Sequence, residues 1–410
     1  MSDRDEDDRD LGSLAVPRVG SLAETGDVWE PWRLLDPVGE VVGPVAVWLR
    51  DLQAAGRSSL TQRSYGMDLL RWFRFLWAVE VLWNHATRSE ARDFTRWVQI
   101  ADKPRSPGPG AGVPNPVTGK PRPGAKYAAS TRGHSESVLR GFYEFHRDAG
   151  SGPMVNPFPL ARRKGRAHAH HNPMEPYRNE RSGLYRPRHV QRVPHSIPDE
   201  KFNELFAQLP SHRDRALVAM WVSSGARAAE LLGARQRDAD PGQQLITVVR
   251  KGTRAIQQVP ASPDAFVWLR LYQAQMHGLV SAKADQPLWW TLRRPFRPLA
   301  YHAAYRMFGR ANAVLGTNWT LHDLRHTAAY RMARDPEVPL TDVQWVLGHA
   351  LLSTTQTYMT PLPEDVIAGV LAHHARRGGQ AAQPSSTSAS PPVASYRRET
   401  LNVLFGEGTA

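Results

Sequence analysis

The 410-residue sequence contains no cysteine, which excludes disulfide bonds and zinc sites built on thiolates. It also lacks any uninterrupted run of eighteen apolar residues, so no membrane-spanning helix is expected. The first ten residues, MSDRDEDDRD, are acidic and have no apolar segment of the kind that a secretory signal needs. Together these absences fit a protein of the reducing cytoplasm.

Acidic residues are scarce relative to basic ones. The chain has 39 Asp and Glu against 52 Lys and Arg, a formal net charge of +13, and most of the basic residues are arginines. Such an excess favours a polyanionic partner, of which the phosphate backbone of nucleic acid is the commonest. Charge alone does not distinguish a DNA-binding protein from a ribosomal or membrane-surface protein.

Composition and periodicity divide the chain into segments. We expect a flexible acidic arm at 1–40, a helical domain at 41–160 with a Pro- and Gly-rich loop insertion at 103–126, a basic linker at 161–194, a second domain at 195–378 and a disordered tail at 379–410. Helical spacing dominates both domains, and the stretch QQLITVVRKGTRAIQQVP indicates two short strands around a turn. The sequence therefore predicts a mainly α protein of two domains with a small β-hairpin or sheet.

The basic linker contains the histidine run HAHH at 168–171. Clustered histidines in a basic stretch, without spaced or acidic partners, do not usually form a metal site. A G-x-x-x-x-G-K-[ST] nucleotide-binding loop is also absent from the sequence. We therefore expect neither a metal nor another cofactor.

Four short pieces of the second domain carry residue types suited to phosphodiester chemistry. They are SSGARAAELLG with Arg227, the hairpin turn with Lys251, HDLRH with His322 and Arg325, and LGHALLSTTQTYMT with His349 and Tyr358. Each piece is weak evidence alone, since an arginine after a glycine or a lysine in a turn is usually a solvated surface residue.

Together the same side chains predict a phosphodiester-cleaving site that uses no metal ion. A phosphate under attack spreads negative charge over its non-bridging oxygens, and positioned arginines stabilise that charge. Histidines bind phosphate and transfer protons near neutral pH. A tyrosine hydroxyl, with an ordinary pKa of about 10, needs help from nearby cations before it acts as a nucleophile. A lysine on a hairpin is suited to protonating the leaving sugar oxygen.

In this order and spacing, the pieces resemble the tyrosine recombinase (phage integrase) family. The resemblance extends from about Ile197 to Arg377. It continues weakly upstream, where SLTQRSYGMDLLRWFRFL and STRGHSESVLRGFYEFHRDAGSGPMVNPF resemble the helical core-binding domain of that family. It implies a core-binding domain and a catalytic domain that together form a C-shaped clamp on DNA.

The resemblance implies a role for each motif residue. Tyr358 is the expected nucleophile, which forms a 3′-phosphotyrosyl link and frees a 5′-hydroxyl. Arg227 and Arg325 would hold the scissile phosphate, and Lys251 would protonate the leaving 5′-oxygen.

The two histidines of the motif are expected to act around the phosphate. His322 would serve as a general base or as a phosphate ligand, and His349 would hydrogen-bond the phosphate. Because none of the motif positions is substituted, a competent DNA strand transferase is expected.

The resemblance also implies partners. We expect double-stranded DNA with specific recombination sites as substrate, a homotetramer on synapsed DNA, possible accessory DNA-bending proteins, no membrane association, and a cytoplasmic, nucleoid-associated location. The helix at 362–377 would dock on a neighbouring subunit, and the basic linker and tails favour an integrase of a mobile element. Two alternatives stay open: a type IB topoisomerase, and a non-catalytic DNA-binding regulator.

DNA contacts outside the predicted site are expected in the first domain. The candidates lie on polar faces or edges of its helices, and they are Thr61, Arg63, Lys126, Arg132 and Arg140. A solvated face is the alternative for each of them.

Overall fold

A computed structural model describes residues 9–104, 112–161, 182–187, 196–359 and 363–381. The chain folds as two units, one of Met1–Arg192 with Gly309–Trp319, the other of Val193–Phe308 with Thr320–Ala410. The HAHH run, the predicted disordered tail beyond Ala381 and most of the predicted basic linker lie outside the described residues.

The first unit is mainly helical. Its helices are α1 (Gly43–Ala54), α2 (Ser59–Ala78), α3 (Arg88–Ile100) and α4 (Ala129–Asp148). Local chemistry sets two of their starting points. The Ser58 side chain accepts the backbone N–H of Thr61 at the start of α2, and Thr87 and Glu90 form a reciprocal capping box at the start of α3.

Aromatic side chains fill the core of the first unit. Trp72 of α2 is fully buried and makes edge-on contacts with Phe94, Tyr143 and Phe158, whose ring centroids lie 5.0, 6.2 and 5.2 Å away. The Tyr143 hydroxyl accepts the indole N–H of Trp72 at 2.9 Å and donates to the carbonyl of Trp83 at 2.9 Å. The polar atoms that these aromatic residues bury are thus hydrogen-bonded to one another.

The expectation of a flexible arm at 1–40 is wrong for residues 9–40. Strands β1 (Ser21–Glu24) and β2 (Trp32–Leu35) form an antiparallel hairpin there, and Leu34 is fully buried in the core of the first unit. The guanidinium of Arg74 donates to the carbonyl of Val19 at 2.6 Å, which ties the chain to α2. Short alternating apolar residues between Pro and Gly account for the difference, because they pack on a core that only the folded protein provides.

Residues 112–126, the second part of the predicted insertion, make polar contacts inside the first unit. Asn115 is buried and donates its side-chain N–H to the carbonyl of Gly316 at 2.8 Å. The ammonium of Lys120 lies 5.7 Å from the ring centroid of Trp319. The part of the insertion around Asn115 and Lys120 therefore packs on the segment Gly309–Trp319.

The second unit combines helices with a small sheet. Its helices are α5 (Asp199–Ala207), α6 (His212–Ser224), α7 (Ala228–Leu232), α8 (Pro263–Met276), α9 (Tyr301–Leu315), α10 (Leu321–Arg334), α11 (Leu340–Leu347), α12 (Leu352–Gln356) and α13 (Pro363–Ala381). Helix α9 continues into the Gly309–Trp319 segment of the first unit. The predicted mainly α fold with a small sheet is confirmed.

The sheet of the second unit has the order β3-β4-β5 and is antiparallel. Its strands are β3 (Ala239–Asp240), β4 (Leu245–Val249) and β5 (Ile256–Pro260), and β4 and β5 form the hairpin that the sequence predicts. Helix α6 is buried along most of its length, as expected for the central helix of a unit. No helix among the described residues has both the length and the apolar character that a membrane crossing requires.

Replacing Tyr143 with Phe is expected to destabilise the first unit by about 1–3 kcal/mol, because the buried N–H of Trp72 loses its acceptor. Urea unfolding followed by tryptophan fluorescence measures the change. The matched control is Tyr305→Phe, at a hydroxyl on a side chain that is 49% exposed, with an expected change below about 0.5 kcal/mol. Equal midpoints for Tyr143→Phe and the wild type would contradict this packing of Trp72 on Tyr143.

Candidate active site

A buried carboxylate, that of Glu230, lies at the centre of a cluster of basic residues. Helix α6 ends at Gly225, whose φ of +61° reverses the chain, and Arg227 precedes the first turn of α7. Glu230, one turn into α7, accepts the backbone N–H of Arg227 at 3.0 Å and its guanidinium at 2.9 Å. It also accepts the guanidinium of Arg250 at 3.0 Å and the backbone N–H of Lys251 at 3.1 Å.

These contacts keep Glu230 ionised. Burial raises the pKa of its carboxyl group. Hydrogen bonds from the backbone N–H groups of Arg227 and Lys251 and from the two guanidinium groups lower this pKa by a larger amount, so the net shift is downward. One negative charge thus compensates part of the positive charge that the site concentrates.

Arg325 is the most deeply buried of the predicted site residues, at 3% exposure. It lies on α10, whose start is set by a capping box between Thr320 and Asp323. Its guanidinium donates to the carbonyls of Gly225 at 2.7 Å and Leu347 at 2.6 Å. Burial and the neighbouring positive charge of Arg227 lower its pKa to about 10, so Arg325 still carries its charge at neutral pH.

Tyr358 packs against helix α10, the helix that carries Arg325. It lies in a short 3-10 turn, Thr357–Met359, and its ring is buried beside Ala329 of α10 and Leu347 of α11. The ring therefore packs, while the hydroxyl has a polar partner: Nδ1 of His326 lies 2.7 Å from Oη of Tyr358.

His326 is a site residue that the sequence motifs do not include. It follows Arg325 directly, and its ring centroid lies 4.3 Å from that of His322, one turn earlier on α10. The signal was present in HDLRH, because residues four apart on a helix share a face. That His326, rather than His322, contacts the Tyr358 hydroxyl depends on how the turn at Thr357–Met359 packs.

Burial and the neighbouring charges shift the pKa of the Tyr358 hydroxyl in opposite directions. Burial raises the pKa of Tyr358, whereas the positive charges of Arg325 and Arg227 lower it, and the net shift is upward. Tyr358 is therefore a protonated phenol at neutral pH, and a phenol acts as a nucleophile only after a neighbouring group accepts its proton.

His349 follows Gly348, which ends α11 with a φ of +62°. Its Nδ1 lies 2.9 Å from the hydroxyl oxygen of Thr355, and its ring lies nearly parallel to that of Tyr358, with centroids 6.3 Å apart. Burial, followed by the charges of Arg325 and Arg227, lowers the pKa of His349 to about 4. At neutral pH it is a neutral imidazole that can donate one N–H.

The structure thus brings the predicted motif residues of the second unit together around one cluster. Arg227 and the backbone of Lys251 share Glu230, while the charges of Arg227, Arg325 and His322 all contribute to the lowered pKa of His349. The Lys251 side chain itself is exposed, in the turn between β4 and β5. Among the described residues, no group of three His, Asp or Glu side chains is arranged to hold a metal ion.

The predicted DNA contacts of the first unit differ in their surroundings. Arg63 lines a groove of about 460 Å³ between α2 and α4. Lys126 pairs with Asp102 at 2.9 Å, and Arg140 donates to Glu136 at 2.8 Å. Thr61 lies in the first turn of α2, and Arg132 lies in the first turn of α4. A role in DNA binding stays a prediction for all of them. Arg140 differs from the others in lying near two carboxylates, those of Glu136 and Glu144.

The groove also holds two basic residues outside the predicted set. Asp68 is buried and pairs with Arg71 at 2.7 Å and with Nδ1 of His134 at 2.7 Å. The hydrogen bond that the His134 ring donates to Asp68 raises the pKa of His134. The side chains of Arg71 and His134 line the same groove as Arg63.

Residues 196–364 match the family model described as "Phage integrase family". This match places a phage integrase family domain at residues 196–364 of the chain. Among curated proteins, it is 30% identical over 183 residues to tyrosine recombinase XerC of Chlamydia caviae, covering 43% of this chain and 57% of the relative. It is 31% identical over 170 residues to tyrosine recombinase XerD of Pseudomonas aeruginosa, covering 40% of this chain and 55% of the relative. The alignments thus span little more than half the length of these relatives.

Solved structures of recombinases share the fold. A lambda integrase dimer bound to a COC′ core site superposes with a TM-score of 0.52 at 14% identity, covering 83% of this chain and 78% of that one. The Tn1549 transposon integrase in complex with circular intermediate DNA superposes with a TM-score of 0.53 at 12% identity, covering 80% of this chain and 98% of that one. At such identities the likeness establishes the fold alone.

The lowered pKa of His349 predicts a specific pH dependence. Its ring should stay neutral between pH 6 and 8 and titrate near pH 4 in histidine-selective NMR, with His349→Asn used to assign the resonance. Because the unfolded chain binds this proton near pH 6.5, the stability that neutral His349 contributes is lost as pH falls from about 6.5 towards 4. A transition near pH 6.5 in the folded protein would contradict the burial of this ring.

Proposed function

We propose that this protein is a site-specific DNA recombinase that cleaves and rejoins DNA strands through a 3′-phosphotyrosyl intermediate, with neither metal nor ATP. The observation that carries the proposal is a buried phenol, Tyr358, in the field of two arginines of its own chain and in contact with a histidine. That arrangement supplies an anion site, a nucleophile and a proton acceptor.

The proposed chemistry assigns each group one task. Arg227 and Arg325 bind the non-bridging oxygens of the scissile phosphate and stabilise the charge that develops on them. The Tyr358 oxygen forms a bond to phosphorus as the bond to the 5′-oxygen breaks, and Lys251 gives that oxygen its proton. The phosphodiester energy is kept in the tyrosyl ester, so the reverse attack by a 5′-hydroxyl rejoins DNA without a further energy source.

The histidines divide into two roles in this proposal. His326 accepts the proton of Tyr358, since its Nδ1 lies 2.7 Å from the phenol oxygen. His322 keeps the second role that the family resemblance allows, that of a phosphate ligand. His349, neutral at pH 7, donates its Nε2–H to phosphate while Nδ1 accepts from the hydroxyl of Thr355.

The proposed partners follow from the family and from one exposed surface. The substrate is double-stranded DNA carrying specific recombination sites, met at the nucleoid. Synapsis of two sites brings together four copies of the chain, aided where needed by DNA-bending proteins. Helix α13 supports subunit contact, because its apolar side chains Val366, Ile367, Val370 and Leu371 are 44–62% exposed. Exposed apolar surface of this kind is typical of a binding surface.

A type IB topoisomerase is the second candidate, since it uses similar chemistry on one duplex. The aromatic-rich helical unit that precedes the catalytic unit favours the recombinase. Relaxation of supercoiled plasmid without any particular site would favour the topoisomerase. A non-catalytic regulator would require a broken site, whereas all six motif side chains are retained.

Replacing Tyr358 with Phe is expected to abolish covalent attachment to DNA while leaving binding within about threefold, because the ring still packs and only the nucleophilic oxygen is lost. The measurement is the SDS-resistant adduct formed with target DNA that carries a nick beside the cleavage position. Binding is measured in parallel by gel mobility shift. A covalent adduct formed by Tyr358→Phe would show that another residue is the nucleophile.

Replacing His326 with Asn is expected to slow adduct formation by about 10²–10³-fold, because the phenol loses its proton acceptor. Difluorotyrosine at position 358, which ionises at lower pH, should recover most of that rate at pH 8. The matched control is His322→Asn with the same difluorotyrosine, which should not recover, since a lost phosphate ligand is not replaced by an acidic phenol. Equal recovery in both variants would contradict the separate roles.

A further inference from the structure

Helix α11 ends in three consecutive carbonyl groups that are each capped by a side chain from another element. The carbonyl of Trp345 accepts the side-chain N–H of Gln257 at 2.8 Å, that of Val346 accepts the guanidinium of Arg250, and that of Leu347 accepts Arg325 at 2.6 Å. The last carbonyls of a helix have no partner inside it and carry partial negative charge, so cationic donors are favourable there.

Two of these three donors belong to the β4–β5 hairpin. Arg250 begins its turn and Gln257 lies on β5, and the two side chains also bind each other, Nε of Arg250 donating to Oε1 of Gln257 at 2.7 Å. Arg325 is the remaining donor and comes from α10. The hairpin is therefore fastened to the end of α11 by a pair of residues, Arg250 and Gln257, which we call the hairpin anchor.

Arg250 binds three segments of the second unit at once. Its guanidinium donates to Gln257 on β5, to Glu230 on α7 at 3.0 Å and to Val346 on α11. It is 4% exposed, and a Cβ at Gly348 would lie 3.0 Å from its Nε, so the chain fits closely around it. A planar group with donors in several directions suits this position, and a lysine ammonium does not.

The burial of Arg250 bears directly on its neighbour Lys251. The two residues are neighbours in the chain, yet Arg250 is buried while Lys251 is exposed. Apart from the anchor, the turn is held to α7 through the backbone N–H of Lys251, which donates to Glu230 at 3.1 Å. The anchor therefore fixes the position of the backbone that carries the Lys251 side chain.

We propose that the hairpin anchor is a positioning device for proton delivery: Arg250, supported by Gln257, holds Lys251 beside the leaving 5′-oxygen of DNA. This rests on the proposed function, in which the Lys251 ammonium transfers one proton to that oxygen as the phosphorus–oxygen bond breaks. Arg250 itself does not touch DNA in this proposal. Its loss displaces the proton donor but leaves Arg227 and Arg325, the proposed phosphate ligands, in the chain.

The test uses two nicked target DNAs that differ at one atom. One has the natural 5′-oxygen at the cleavage position and the other has a bridging 5′-sulfur, which leaves as a thiolate and needs no proton. Lys251→Ala calibrates the assay, because it should lose cleavage on the oxygen substrate and regain most of it on the sulfur substrate.

Arg250→Met is expected to cleave the oxygen substrate about 10²-fold more slowly than the wild type, the scale of a misplaced catalytic group. On the sulfur substrate it should come within about threefold of the wild type, following the Lys251→Ala pattern. Gln257→Leu is the second variant, since it removes half of the anchor but keeps the buried Arg250–Glu230 pair and so protects the fold. It should lose about tenfold on oxygen and recover on sulfur in the same way.

The matched control is Arg254→Met, which removes an exposed arginine of the same turn and should cleave both substrates like the wild type. Equal losses on the two substrates for Gln257→Leu would overturn the proposal, because they would mean a general defect of the site. Unchanged cleavage by both anchor variants would overturn it too. Failure of the wild type to form any adduct would be a different failure, that of the proposed function.

Discussion

The buried Glu230 carboxylate is the interaction on which the rest of the site depends. Burial of the guanidinium groups of Arg250 and Arg325 is unfavourable, and each is further opposed by the charge of Arg227. Glu230 offsets this by accepting hydrogen bonds from Arg227, Arg250 and the backbone of Lys251. One anion cannot neutralise three cations, so a net positive field remains, which favours the binding of an anion such as phosphate.

The same field explains how the uncharged residues of the site are set for reaction. Burial and then this field lower the pKa of His349, so its neutral ring donates a hydrogen bond without adding a further positive charge. It does not ionise Tyr358, because burial outweighs the pull of the two arginines. A bound phosphate would weaken that pull, so the contact with His326 becomes the remaining route for the proton.

The sequence predicted those parts of the structure that depend on local spacing and on motif order. The mainly α fold follows from helical periodicity, and the three-residue separation of His322 and Arg325 places them on one helix face. The hairpin within residues 9–40 was missed because its few apolar residues acquire meaning only against the core that buries them. Arg250 was missed because an arginine beside a turn is ordinarily solvated, and its burial depends on the carbonyls of a distant helix end. His326 was missed because its contact with the Tyr358 hydroxyl depends on how the turn at Thr357–Met359 packs.

We propose that one chain carries the complete site, since Tyr358 and the arginines proposed to hold the phosphate lie in the same second unit. Mixing Tyr358→Phe protein with Arg227→Ala protein on nicked target DNA tests it most directly, with SDS-resistant adduct as the readout. No adduct is expected beyond what either protein forms alone, since neither chain has both groups. Adduct restored by mixing would mean that the tyrosine of one chain serves the arginines of another, and would contradict it.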